Sequence, residues 1–320
     1  MTHVQPTISS RYECAVVAPY RLDLTVSVLR RLSTNIVDVL TPDGEYLRAL
    51  AGAGGRLIVR VAQPGPERLV ISIHGDDSDQ AEGLVSVCRM LGVDRDLAPF
   101  EAAARGIPWL RPLAVRMRGV KPPRYSALWE ACVNAILFQQ VSLQSASAII
   151  RRLVLTLSPP IQHEGVQLYA FPSSDRFQSA DENLLRAAGI SAGKLATLRR
   201  VADALAMGTL NEAMLAERPS PEAAAFLCGI RGIGPWTAAV ILLRGLGRLD
   251  VFPANDTSVA RNLALVSGSP SVDVQAVLRA LSPQQGMLYY HLLLARLETR
   301  DEVGRASAPF GWGGKDWQPS

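Results

Sequence analysis

The chain is poor in lysine. Of 33 basic side chains only Lys121, Lys194 and Lys315 are lysines, and the rest are arginines. Arginine suits phosphate through its bidentate geometry, although a GC-rich genome produces the same bias. Cysteine is scarce too. Cys14, Cys88, Cys132 and Cys228 are widely spaced, with no C-x-x-C pair, so their pattern suggests neither zinc nor an iron–sulfur cluster. They read as apolar fillers. No apolar run reaches the roughly 18–20 residues of a membrane span, and the opening MTHVQPTISSR is neither a signal nor a transit peptide. A cytoplasmic or nucleoid-associated protein without a membrane partner is expected. With 48% hydrophobic and 19% charged residues over 320 positions, the composition is that of a globular chain able to hold two domains. A net charge of +4 permits nucleic acid as a partner without demanding it.

The chain splits by pattern. Residues 1–10 are polar and read as a disordered start. Tyr12 to Ala18 reads as a strand, and Leu22 to Leu32 has helical spacing. Arg56 to Gln63 and Arg68 to His74 alternate around Pro64-Gly65-Pro66-Glu67 as antiparallel strands, and Gly75-Asp76-Asp77-Ser78 caps a helix to Leu91. Residues 11–118 thus read as an α+β domain with an antiparallel sheet. Prolines 99, 108, 112, 122 and 123 mark a transition, after which helical periods dominate over 119–300. Ser126 to Phe138 is amphipathic, with Leu128, Trp129, Cys132, Val133, Ile136 and Leu137 on one face. A second helix runs from Ser142 to Leu157, Pro159 to Phe171 reads as a loop, and Lys194 and Arg199 read as a solvated helix face, with a place beside a phosphate as the alternative. Residues 301–320 read as a loosely ordered tail.

The most informative stretch is Ala224 to Arg261. An apolar helical run ends at Gly229. Gly232-Ile233-Gly234 forms a tight turn, Pro235 suits the first position of a new helix, and Trp236 to Gly245 continues it with Thr237 in its first turn. Unpaired N–H groups at such a helix start form an anion site that holds a backbone phosphate without reading sequence. Gly-x-Gly alone fits a plain helical hairpin equally well. Downstream, Leu249-Asp250-Val251-Phe252-Pro253-Ala254-Asn255 leads to Asp256, whose residue type also suits a simple helix cap.

Together, the run from Ile230 to Ala238 and Asp256 at its spacing resemble the helix-hairpin-helix–GPD superfamily of DNA glycosylases. Ile230 stands where the family has leucine. Nicking members carry a lysine nucleophile where this chain has Trp236, which forms no Schiff base. The resemblance is therefore to the monofunctional branch, most of all to the 3-methyladenine DNA glycosylase II group. It implies an N-terminal domain like half of the TATA-binding protein, a helical glycosylase domain, and a monomer acting on damaged duplex DNA. It implies Asp256 as catalytic carboxylate, Gly232, Gly234 and Thr237 at a DNA phosphate, and Gln140, from the odd pair Gln139-Gln140, as the wedge filling the gap of a flipped nucleotide. The matching pocket positions are Trp236, Val240, Thr257, Tyr289 and Leu293. Several depart from the group: Val240 replaces a tyrosine, and Leu293 a tryptophan. Alkylated purines are the implied substrates, with hypoxanthine, ethenoadenine or uracil, or a non-catalytic DNA-binding role, as alternatives. No cofactor is required. A structural K+ or Na+ on the carbonyls of Cys228, Ile230 and Ile233 is implied by the family alone. The four histidines (His3, His74, His163 and His291) lie outside the motif, and His291 reads as structural.

Overall fold

The computed structural model describes residues 8–52, 55–254, 257–269 and 271–304. Residues 1–7 and 305–320, from the expected disordered start and tail, lie outside them. The N-terminal part comprises β1 (Ile8–Ala15), α1 (Leu22–Arg30), β2 (Val39–Leu40), β3 (Tyr46–Ala51), β4 (Arg56–Gly65), β5 (Arg68–Gly75) and α2 (Asp77–Leu91). The strands form one antiparallel sheet in the order β1-β5-β4-β3-β2. β1 starts at Ile8, inside the stretch expected to be disordered.

Local chemistry explains these elements. α2 is capped by Asp76, which accepts the Ser78 N–H at 3.0 Å, and ends at Gly92 in the left-handed region. Val87, Met90 and Leu91 of α2 pack on the sheet with Val59, Val61, Leu69, Ile71 and Ile73. Such side chains contribute about 1.5–3 kcal/mol each when fully buried. β3 carries no alternation, because Tyr46 to Leu50 are all buried. A strand covered on both faces leaves no period of two to read.

The helical part opens with α3 (Ala98–Arg105) and α4 (Arg111–Arg116), followed by α5 (Leu128–Leu137) and α6 (Leu143–Leu157). A hairpin of β6 (Ile161–His163) and β7 (Val166–Leu168) stands where a plain loop was expected. Its turn residues Glu164 and Gly165 both have positive φ (46° and 79°), the backbone of a tight two-residue hairpin. Then come α7 (Ser174–Gln178), α8 (Glu182–Ala187), α9 (Ala192–Ala206), α10 (Glu212–Ala216), α11 (Ser220–Cys228), α12 (Pro235–Leu246), α13 (Thr257–Ser267), α14 (Val274–Leu281) and α15 (Gly286–Glu298). No helix among the described residues is long and apolar enough to cross a membrane.

Two apolar cores organise these helices. One is built from α5 to α12, with Ile136, Leu153, Leu198, Leu227 and Ile241 at its centre. The other joins α3, α4, α13, α14 and α15 to Leu24 and Val28 of α1. α12 serves both, giving Ile241 to the first and Leu243 to the second. Residues 97–117, which composition groups with the N-terminal domain, pack in this second core. α5 was expected to be amphipathic, yet all ten of its residues are buried. It touches α12, α9 and α6 within the first core, and its Glu130 and Ala131 meet the sheet domain.

That last contact is ionic. Arg48 of β3, 1% exposed, donates to Asp38 at 2.5 Å and to Glu130 of α5 at 2.5 Å, and also reaches Ser126 Oγ at 3.1 Å. Burial opposes its charge, and the two carboxylates more than restore it, so its pKa lies well above the ordinary value. Nearby, Arg244 of α12 is fully buried. It donates to Val28 O at the end of α1 at 3.0 Å and stacks over Tyr125, 4.8 Å from the ring centre. A cation at a helix C-terminus complements its dipole.

Arg48→Met leaves two buried carboxylates without their cation. Urea denaturation is expected to show a loss of about 3–5 kcal/mol, and an unchanged midpoint would refute this role. His291, buried beside Phe100 with Nδ1 2.8 Å from Met287 O, has its pKa pushed down to about 4 by burial. The unfolded chain therefore takes up this proton first. Stability from neutral His291 is full above pH ~6.5 and falls, by about 3 kcal/mol at most, as pH drops toward 4. His291→Phe should flatten stability over that window in pH-dependent melting.

Candidate nucleic-acid interface and active site

The glycine turn does two different things. Gly232 adopts φ 102° and packs against α9, where an added Cβ would lie 2.0 Å from Thr197 Oγ1. Neither its backbone nor its surroundings admit a side chain. Gly234 has an ordinary extended backbone, φ −99° and ψ 177°, and forms the N-cap of α12. A Cβ there would meet open space, so a ligand has access to the helix start. Ile233 between them is buried and its N–H bonds to Ile230 O at 2.9 Å.

The first intrahelical bond of α12 comes from Ala238 N–H to Gly234 O at 2.9 Å. Pro235, at the first helical position, has no N–H to satisfy. Thr237 itself is buried, and its hydroxyl accepts from Gln139 Nε2 at 2.7 Å. The same Gln139 amide donates to Gly232 O at 3.0 Å. The side chain of Thr237 is thus committed within the protein.

The glutamine pair splits its roles. Gln139 turns inward to hold the hairpin. Gln140 is exposed, with φ 56°, at the turn from α5 into α6. Lys194 Nζ completes the support, donating to Leu137 O at 2.9 Å and Gln139 O at 2.8 Å. This corrects the reading of Lys194 as a solvated residue: it caps the C-terminus of α5, where a cation offsets the helix dipole, and burial lowers its pKa. Arg31 buttresses the same turn by stacking 3.8 Å from the centre of the Phe138 ring. Sequence reasoning missed Gln139, Lys194 and Thr197, since each acts through a partner distant in the chain.

The segment toward Asp256 is anchored on the other core. Gly286, at the start of α15, donates to Leu249 O at 2.7 Å, and an added Cβ would lie 2.9 Å from Val251 O. Gln285 Nε2 donates to Asp250 O at 2.5 Å. Asp256 lies outside the described residues, between Ala254 and the first residue of α13, and the side chains of Thr257 and Ser258 are likewise outside. Among the pocket candidates, Trp236 is half-buried against the first core, and Tyr289 and Leu293, one helical turn apart on α15, are half-buried against the second. Val240, at 1% exposure, is enclosed in the first core without an open face.

Residues 133–282 match the model of the HhH-GPD superfamily base excision DNA repair proteins. That match lies within the helical part of the chain. The chain is 32% identical over 216 residues to the "Probable bifunctional transcriptional activator/DNA repair enzyme AlkA" of Mycobacterium tuberculosis, covering 67% of this chain and 42% of that one. It is 26% identical over 226 residues to the Bacillus subtilis "DNA-3-methyladenine glycosylase", covering 71% and 65%. The match therefore spans less than two thirds of either relative. Among solved structures, the 3-methyladenine DNA-glycosylase from Archaeoglobus fulgidus superposes with a TM-score of 0.75 at 22% identity, over 90% of this chain and 99% of that one. That likeness carries the fold: the α+β N-terminal domain followed by the helical domain.

Gly232→Ala should cost about 1–3 kcal/mol, the price of positive-φ strain plus the clash with Thr197. Adding Thr197→Ala should recover only the steric part in a double-mutant cycle of melting free energies. Full recovery would remove the backbone argument, and none would remove the packing argument.

Proposed function

We propose that the chain is a monofunctional DNA glycosylase that removes alkylated purines from duplex DNA. The observation carrying this reading is the shared support of two turns. Gln139 binds the hairpin, whose helix start is open to a phosphate, and is the neighbour of exposed Gln140. Anchor and wedge are then one rigid unit. The start of α12, with Gly232, Gly234 and Thr237, holds a backbone phosphate. Gln140 enters the stack and hydrogen-bonds the orphaned base, offsetting part of the few kcal/mol that flipping costs.

The flipped nucleotide loses its base by hydrolysis. As the N-glycosidic bond breaks, the sugar gains oxocarbenium character. The Asp256 carboxylate stabilises that charge and orients the attacking water. An alkylated purine is already cationic and departs without a strong acid. His291, buried in the core and neutral, is no candidate for one. Trp236 stands at the position of a lysine nucleophile, so release is not followed by strand nicking. With Tyr289 it offers an aromatic surface to a cationic base. The carbonyls of Cys228, Ile230 and Ile233 are the donors for a monovalent cation at the hairpin. Among the described residues Ile230 O accepts one backbone N–H, from Ile233. The protein works as a monomer in the cytoplasm, and base release requires no cofactor.

One observation favours a second reading, excision of a neutral lesion such as hypoxanthine, ethenoadenine or uracil. Val240 is enclosed in the first core and Leu293 stands where the resembling group has a tryptophan, which leaves Trp236 and Tyr289 as the aromatic side chains at the expected pocket positions. Fewer aromatic faces suit a neutral base better than a cation.

Duplexes with single 7-methylguanine, 3-methyladenine, hypoxanthine, ethenoadenine or uracil lesions decide between the readings. Methylpurine release, with strand breaks only after hot alkali, is expected. Release of a neutral lesion alone would move the assignment. Asp256→Asn should lower release at least about a hundredfold while DNA binding persists and still weakens with salt. Activity surviving that substitution would sink the mechanism.

A further inference from the structure

Away from the hairpin, two histidines and a carboxylate meet between the sheet and the helical part. His74 closes β5, while His163 ends β6 and Glu164 opens its turn. One ligand atom from each lies within 4.8 Å of the others, and the two imidazole rings are edge to face at 4.6 Å. His163 Nε2 is buried with no hydrogen-bond partner among the described residues. A buried imidazole nitrogen left unmade costs free energy unless something binds it.

We propose that His74, His163 and Glu164 bind a divalent transition metal ion, Zn2+ being the expected occupant, and that the ion ties the β6–β7 hairpin to the end of β5. Two imidazoles and one carboxylate are donors zinc accepts, with water completing four-coordination. The expectation of no zinc rested on cysteine spacing, and these ligands are not cysteines. Tetrahedral bonding at about 2.1 Å places ligand atoms about 3.4 Å apart, so the three groups must draw in by about 1 Å. The ligands permit this because Glu164 is exposed at the tip of a two-residue turn.

The charged neighbours allow it as well. Glu164 pairs with Arg60 of β4, but Arg60 also holds Glu45, Nη2 at 2.5 Å and Nε at 2.7 Å. When Glu164 turns to the ion, Arg60 keeps a carboxylate partner. Burial, then His74 and Arg60, hold His163 toward its neutral form, and Glu164 opposes them. Neutral imidazole is the form that ligates. The site is independent of the base-excision reading, and none of its residues belongs to the proposed machinery.

The test uses the full chain without an affinity tag, kept reduced and stripped with EDTA. Calorimetric titration with ZnCl2 should give one ion per chain, and melting should shift upward with zinc and return with EDTA. Co2+ should give the visible absorption of a four-coordinate site. His163→Asn and Glu164→Gln should each weaken zinc binding at least roughly tenfold. Glu164→Gln, exposed at the turn, should melt like the unaltered chain in EDTA, which separates loss of a ligand from loss of the fold. A Cys14→Ser, Cys88→Ser double variant should bind zinc normally. The proposal is overturned by absent saturable binding, by ligand variants that bind as before, or by loss of binding in the cysteine variant alone.

Discussion

The guanidinium of Arg48 sits between Asp38 and Glu130, and the placement of α5 depends on it. Buried charges tolerate few arrangements, so this contact sets the register of the sheet against the first turn of a helix buried on every side. Everything at the far end of α5 inherits that register. The carbonyls of Leu137 and Gln139 meet Lys194, the Gln139 side chain reaches the glycine hairpin, and Gln140 faces solvent. The sheet domain takes part in the site by fixing this helix, although none of its residues reaches the hairpin through a described hydrogen bond.

The hairpin was legible because its demands are local. A Gly232 that must reach positive φ, a proline at the first helical position and an apolar continuation leave a mark in adjacent residues. The capped helix α2 was legible for the same reason. Elements set by tertiary cover were not. β3 shows no alternation because both faces are buried. α3 and α4 each carry a proline in the first turn, which in a proline-rich stretch reads as a break although a first turn accepts it. The β6–β7 turn uses glutamate where asparagine or glycine signals a hairpin.

At the site, residue types pointed to the turn but not to its fastening. Gln139 and Gln140 look alike in sequence, and only the fold separates the inward amide from the exposed one. Lys194 shares α9 with Arg199 and Arg200, and its own partners lie more than fifty residues earlier. Thr197 matters through the single glycine that it touches. Val240 fell at a pocket position by spacing and lies in the core by packing. Each case turns on a long-range neighbour, which periodicity cannot encode.

The Gln139 bridge has a consequence for how damage is located along a strand. A hairpin and a wedge joined by two short hydrogen bonds keep a constant spacing, so under the proposed function the fold acts as a ruler. The count of nucleotides between the gripped phosphate and the extruded one is then a property of the protein, the same for every sequence it scans.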